Sequence, residues 1–114
     1  MAELSDAEDA KLVTLARAAR ARAATGSGAA VRDTDGRTYS AADLNLPSLQ
    51  LTALQTAVAM AASSGVSGLE AAVVLSDAVG VSDADVAVVR DLAGAGVAIH
   101  RVDLSGVPVE SVTT

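Results

Sequence analysis

Glu70-Ala71-Ala72-Val73-Val74-Leu75-Ser76 decides how this chain folds. The run is continuously apolar, without the polar alternation of a half-solvated strand, and so reads as a central strand covered on both faces. Such a strand needs helices above and below it, and the flanking sequence supplies them. Downstream, Ser82 and Asp85 open a capped helix that continues through Val86, Val89 and Leu92 and closes at Gly94-Ala95-Gly96. Val97–Asp103 is a final strand. The tail from Leu104, with Val107, Val109 and Val112, either forms a further short strand or frays.

Upstream, Leu49–Ala62 reads as a helix that is apolar nearly all round, with Leu51, Leu54, Val58 and Met60 and only Thr52, Gln55 and Thr56 as a polar stripe. A helix of that kind is buried on most faces. Ser64-Gly65 stops it, and a loop containing Pro47 precedes it. Further upstream, Ala29–Asp33 and Arg37–Ala42 are joined by Thr34-Asp35-Gly36, a hairpin signal. Ser5-Asp6-Ala7-Glu8 fits a capping box with Ser5 as N-cap. Behind it Leu12, Leu15, Ala16, Ala19 and Ala23 make one apolar stripe of a helix over residues 6–24, ended by Thr25-Gly26-Ser27-Gly28. The order α-β-β-α-β-α-β predicts an α/β layered sandwich. Its mixed sheet is expected to be largely parallel, with an antiparallel hairpin at one side and helices on both faces. Residues 1–114 form a single domain, with residues 1–5 and 105–114 expected to be flexible.

Composition narrows the chemistry. The chain has 114 residues, 51% hydrophobic and 19% charged, which excludes a wholly disordered protein. It contains no Cys, Trp or Phe, one Tyr (Tyr39) and one His (His100). Disulfides, thiol catalysis and zinc sites built from Cys or paired His are therefore excluded within one chain. Stacking of single-stranded nucleic acid has only Tyr39 to work with. The net charge is −6. Residues 1–41 carry 6 groups of each sign, whereas residues 42–114 carry 8 acidic and 2 basic groups. That acidic part repels phosphate backbones, so no nucleic-acid partner is expected. Arg17, Arg20 and Arg22 read as solvated helix charge, with an anion patch as the alternative. Met1-Ala2-Glu3-Leu4-Ser5-Asp6 has no basic n-region and no apolar h-region. Residues 44–69 lack charge but hold too many polar groups for a lipid-facing helix. The expectation is a cytoplasmic protein without a membrane span.

Most local motifs have a plain structural reading. Gly94-Ala95-Gly96 follows a helix where a dinucleotide fingerprint follows a strand, and it reads as a C-cap. Gly26 and Gly28 lack the Lys-Ser/Thr of a phosphate loop. Asp33-Thr34-Asp35-Gly36 resembles the opening of a calcium loop but lacks the closing Glu, so a hairpin turn accounts for it. His100 reads as a structural or half-exposed strand residue, and neither Ser76 nor Ser82 is marked as an activated nucleophile. Asp83 and Asp85 offset a helix dipole at its N-terminus, and Asp91 lies within that helix.

Asp35-Gly36-Arg37-Thr38-Tyr39, Leu51-Thr52-Ala53-Leu54-Gln55-Thr56-Ala57 and Val81-Ser82-Asp83-Ala84-Asp85-Val86-Ala87 together resemble the cytidine deaminase family. There a hairpin with a "DGR-Y" turn leads to a helix starting "C/H-A-E-x-T-A", and a strand leads to a helix starting "P-C-x-x-C". The resemblance covers about residues 10–103 and implies the cytidine deaminase-like sandwich. It also implies a zinc-bound water, three Cys/His ligands and a proton-shuttling Glu. Against that pattern Thr52 stands for the first ligand, Leu54 for the Glu, and Ala84 and Ala87 for the two Cys. Without zinc, water keeps a pKa near 16 where the metal would bring it to about 7, and attack on C4 of cytosine has no driver.

No metal and no cofactor is therefore expected. Asp43 and Asn45 lie in the region of the family's nucleoside-binding loop. With Thr52 and Gln55 they are candidates to line a relic pocket for a nucleoside, nucleotide or other small polar molecule. The alternative for Thr52, Gln55 and Thr56 is hydrogen bonding within a buried helix or across a subunit contact. The resemblance implies a homo-oligomer, a dimer or tetramer, and the uncharged Leu49–Ala62 helix agrees with one. Three functions follow: a pseudoenzyme with a structural or interaction role, a binding module that uses the relic pocket, and a metal-free hydrolase.

Overall fold

A computed structural model describes residues 6–114. Ser5 lies outside the described residues. The first helix, α1 (Ala7–Ala23), is capped by Asp6, whose carboxylate accepts from the backbone N–H groups of Glu8 and Asp9 at 2.8 and 3.4 Å. The chain continues as β1 (Gly28–Asp33), β2 (Thr38–Ala42), β3 (Leu44–Leu46), β4 (Leu49–Leu51), α2 (Ala53–Ser63), β5 (Leu69–Leu75), α3 (Asp83–Ala93), β6 (Ala98–Val102) and β7 (Pro108–Thr113).

Five strands form one sheet in the order β2-β1-β5-β6-β7, and β3 and β4 make a separate hairpin. The sheet is mixed, but the expectation of a largely parallel one is corrected. Only β5 and β6 run parallel, while β1–β2, β1–β5 and β6–β7 are antiparallel. The parallel pair is the one joined by α3, because a crossover helix returns the chain in the same direction. β1 reaches β5 through α2 with the opposite sense, having first turned back through β2. The tail from Leu104 takes the strand alternative. β7 pairs along β6 with a register shift between Arg101 and Val102, and Thr114 N donates to Val97 O.

Alternation along β5 divides the core, as expected for a covered strand. Ala71, Val73 and Leu75 join Ala30 and Val102 against Leu12 and Ala16 of α1. Ala72 and Val74 join Ala29, Val31 and Ile99 against Leu54, Ala57 and Val58 of α2 and Val89 of α3. Helices thus cover both faces. Buried charge holds α1 to its face: Arg32 on β1 donates to Asp9 (2.9 Å) and to Glu70 (2.8 Å). Among the described residues no helix is long and apolar enough to cross a membrane.

The Leu49–Ala62 helix is corrected at its start. Leu49-Gln50-Leu51 is a strand paired with Leu44-Asn45-Leu46, and the helix begins only after Thr52. The expected loop around Pro47 is thus the turn of a hairpin. Asp33-Thr34-Asp35-Gly36 is the expected turn. The Asp33 carboxylate accepts from the N–H groups of Asp35 and Arg37, and Gly36 takes φ +86. Gly94 and Gly96 end α3 at φ +78 and +90, a helix stop and no phosphate cradle. Arg17 donates to the Ser105 carbonyl and Arg20 to that of Gly26.

Candidate functional site

The four residues singled out for a relic pocket come together. Asp43, Asn45, Thr52 and Gln55 line one cleft of about 390 Å³, with Ser27, Leu44, Gln50 and Leu51. The β3–β4 hairpin builds one wall and places Asn45 opposite Gln50 across its ladder. Sequence reading missed Gln50 and Ser27. The alternation Leu44-Asn45-Leu46 and Leu49-Gln50-Leu51 about a Pro-Ser turn is the signal that could have found Gln50. For Ser27 there is no local signal, because its contact with Asp43 spans 16 residues.

Much of the polar lining is already engaged. Asp43 Oδ1 accepts from both N and Oγ of Ser27 at 3.0 Å. Burial pushes the Asp43 carboxyl up, but bonds from Thr25 and Ser27 outweigh it and hold the group below the usual carboxylate range. Thr52 and Gln55 form a reciprocal capping box: Thr52 N donates to Gln55 Oε1 at 2.9 Å, and Gln55 N donates to Thr52 Oγ1 at 3.0 Å. Thr56 Oγ1 donates to Thr52 O at 2.9 Å. The intrahelical reading of the Thr52, Gln55 and Thr56 stripe therefore holds for each of these bonds.

A side-chain hydrogen bond joins the start of α3 to the start of α2. Thr52 Oγ1 donates to Asp85 Oδ1 at 2.6 Å. Asp85 is buried, and its carboxyl is pushed up by burial, with the Thr52 hydroxyl working in the opposite direction. Its own N–H donates to the Ser82 N-cap at 3.2 Å. Ala84 and Ala87 do not reach this junction; both are exposed. The i, i+3 pair on the α2 side of α3 is Ser82 and Asp85, two residues earlier than the pair the sequence comparison picked. The helix phase decides this, since the face carrying Asp85, Val89 and Leu92 is the one turned to α2. Leu54, standing for the catalytic Glu, is fully buried in the core and forms no part of the cleft lining.

The zinc implied by the resemblance does not fit these residues. The junction offers a threonine hydroxyl hydrogen-bonded to a carboxylate, with no thiolate or imidazole, whereas zinc in a deaminase-type site takes nitrogen and sulfur ligands. The one imidazole, His100, lies on the opposite face of the sheet, 3.1 Å from Asp9 of α1. Among the described residues no three His, Cys, Asp or Glu side chains are grouped to hold a metal ion. A second, apolar groove of about 420 Å³ runs between α2 and α3, lined by Leu51, Val58, Ala59, Ala62, Val88 and Leu92 among others.

A family model described as cytidine deaminase-like matches residues 5–106. Solved cytidine deaminases share the fold. Cytidine deaminase from Burkholderia pseudomallei superposes with a TM-score of 0.79 at 20% identity, over 90% of each chain. A mutant cytidine deaminase from Mycobacterium tuberculosis gives 0.68 at 23% identity, over 82% of this chain and 85% of that one. Cytidine deaminase from Mycobacterium leprae gives 0.69 at 18% identity, over 95% and 94%. Among curated proteins no sequence matches this chain.

Proposed function

The chain belongs to the cytidine deaminase-like family, and on that premise we propose that it is a member without zinc-dependent deaminase activity, a pseudoenzyme with a structural or interaction role. One observation carries the reading: the two helix starts that would share a metal are joined directly by the Thr52–Asp85 hydrogen bond of 2.6 Å. Neither end of that bond is a soft ligand, and the neighbouring Leu54 can neither take nor give a proton. Deamination needs an activated water and a shuttle for two protons, and these residues supply neither.

The test loads the chain with excess zinc, removes unbound metal, and measures bound zinc together with conversion of cytidine to uridine. The expected result is less than a tenth of an equivalent of zinc and no conversion above buffer. Stoichiometric zinc with turnover overturns the proposal.

A second reading has its own support. The cleft of about 390 Å³ bearing Asn45, Gln50 and Gln55 is large enough for a small polar molecule. Thermal melts against nucleosides, nucleotides and free bases test it. A ligand at a hundred times its Kd adds about 2.7 kcal/mol, a shift of roughly 10 °C or more for a domain of this size. An unchanged melt across the panel removes this reading and leaves protein partners. The first partner is a second copy: we propose a dimer or tetramer, supported by the exposed, uncharged outer side of α2 at Ala59, Met60 and Ala62.

A further inference from the structure

On the sheet face opposite the cleft, three side chains from α1, β6 and β7 stand in line. Ser111 Oγ lies 2.6 Å from His100 Nδ1, and His100 Nε2 lies 3.1 Å from Asp9 Oδ2. His100 and Ser111 are direct cross-strand partners, so the sheet register sets the first contact. The carboxylate is fixed in turn, because its other oxygen, Asp9 Oδ1, accepts from Arg32 at 2.9 Å. Exposure is graded along the line. The Asp9 and His100 side chains are 13% and 15% exposed, whereas Ser111 is open to solvent on the edge strand β7.

The tautomer follows from these partners. An ionised carboxylate only accepts, so the proton of the neutral imidazole sits on Nε2 and points to Asp9. Nδ1 is then left with a lone pair facing the Ser111 hydroxyl. That is the arrangement of an activated nucleophile: a hydroxyl on a base, with the base oriented by a third group.

We propose that Ser111, His100 and Asp9 form an acyl-transfer relay acting on activated carboxylic esters that approach the open edge of the sheet from solvent. Ser111 Oγ attacks the ester carbonyl carbon while its proton passes to His100 Nδ1. The tetrahedral adduct collapses by breaking the bond to the leaving oxygen, which takes the proton from Nδ1. Water then attacks the acyl-Ser111 carbonyl, gives one proton to Nδ1, and the acid leaves as Ser111 Oγ recovers that proton. Ester and water become acid and alcohol. Asp9 is a positioning residue throughout, holding the Nε2–H tautomer and stabilising the imidazolium. This relay is independent of the deaminase question, since it uses none of the residues around Thr52.

The experiment treats the full chain with a fluorophosphonate, in which Ser Oγ displaces fluoride at phosphorus, and maps the adduct by mass spectrometry. The exposed Ser63, Ser64 and Ser105 serve as internal references. Ser111 is expected to label far faster than these, Ser111→Ala to abolish the adduct, and His100→Gln to slow it about a hundredfold, the range of general base catalysis. p-Nitrophenyl acetate turnover is expected to fall in parallel. Asp9→Asn is expected to move the sole imidazole toward the Nδ1–H tautomer, read by nitrogen-15 NMR, and to slow labelling with it. Labelling of Ser111 no faster than the reference serines overturns the proposal, as does an unchanged rate in a folded His100→Gln chain. Should that variant unfold, the rate ratio in the unaltered chain decides alone.

Discussion

Thr52, at the start of α2, donates a hydrogen bond from its hydroxyl to Asp85 in the first turn of α3 across 2.6 Å. The contact binds two helix N-termini over one buried carboxyl. Asp85 is caught between opposed effects: burial favours its neutral form, while the Thr52 bond and the positive end of α3 favour the anion. Burial is the larger, and the group titrates above the ordinary carboxylate range.

The sign of the resulting pH dependence is fixed by that shift. An acid whose folded pKa is raised binds its proton more tightly in the native state. Its contribution to stability is therefore complete below the unfolded pKa and is lost as pH rises through the folded one. Asp85→Asn keeps an acceptor for Thr52 and removes the charge. It is expected to raise stability at neutral pH, with the gain vanishing in acid, where the native carboxyl is already protonated. Thermal melts from pH 4 to 8 on both chains check this. A variant less stable than the parent at pH 7 refutes it.

Tyr39 and Asp33 make a similar pair at the β1–β2 turn, the tyrosine hydroxyl donating to Asp33 Oδ2 at 3.0 Å. Burial raises the Tyr39 pKa first, and the bond and negative charge of Asp33 raise it further, against a smaller effect of Arg37. Because the chain has one Tyr and no Trp, absorbance at 295 nm reports this group alone. Asp33→Asn removes the charge and is expected to lower the alkaline titration midpoint. An unmoved midpoint would mean that Asp33 has no electrostatic hold on the phenol.

Gly28 lies where α1 approaches β1 too closely for a side chain. A Cβ there would run into the Ala16 carbonyl and the Arg20 side chain, whereas a Cβ at Gly26 meets nothing within 4 Å. The Ala16 carbonyl belongs to helix backbone and cannot swing aside, so Gly28→Ala must push the helix off the sheet. Its expected cost is about 1–3 kcal/mol, the range for an overpacked core, against a near-neutral Gly26→Ala. Equal melts for the two variants would remove the argument.

These contacts also show how much was legible in the sequence. Glu70–Ser76 revealed the covered central strand because burial on both faces leaves an unbroken apolar run, and Asp35-Gly36 revealed the hairpin because the turn demands positive φ. Leu49-Gln50-Leu51 reads as part of the following helix because three residues are too few for period two to stand out from period 3.6. The Thr52–Gln55 spacing was the better guide, since Thr-x-x-Gln marks a helix start. The resemblance points to Asp43 and Asn45 and the polar stripe to Thr52 and Gln55, but neither sets the phase of α3, where Asp85 and not Ala84 or Ala87 makes the contact. Asp9, His100 and Ser111 were invisible as a set. They come from α1, β6 and β7, and only the sheet order brings them together.

Leu54 offers a test of how tightly the core is packed at the start of α2. It is fully buried among Ala29, Val31, Ala57 and Val89. Truncation to Ala is expected to cost about 2–5 kcal/mol, and a melting temperature lower by roughly 10 °C or more. A cost below about 1 kcal/mol would mean that the side chain sits in a cavity with room to spare, which favours an open pocket over a filled one.

The proposed assembly can be tested at one position. Met60 is 42% exposed on the outer side of α2, flanked by the exposed Ala59 and Ala62, with no charged residue from 44 to 69 to keep that face in water. A contiguous uncharged face of this kind is what an isologous contact requires, since every residue there meets its own copy or a near neighbour. Sedimentation velocity of the unaltered chain at micromolar concentration is expected to show a dimer or tetramer. Met60→Asp places like charges against each other across such a contact and is expected to give monomer, with little change in the core beneath because the side chain points outward. A parent chain that sediments only as monomer refutes the assembly. A variant that stays assembled moves the contact to the groove between α2 and α3 or to the open edges of β2 and β7.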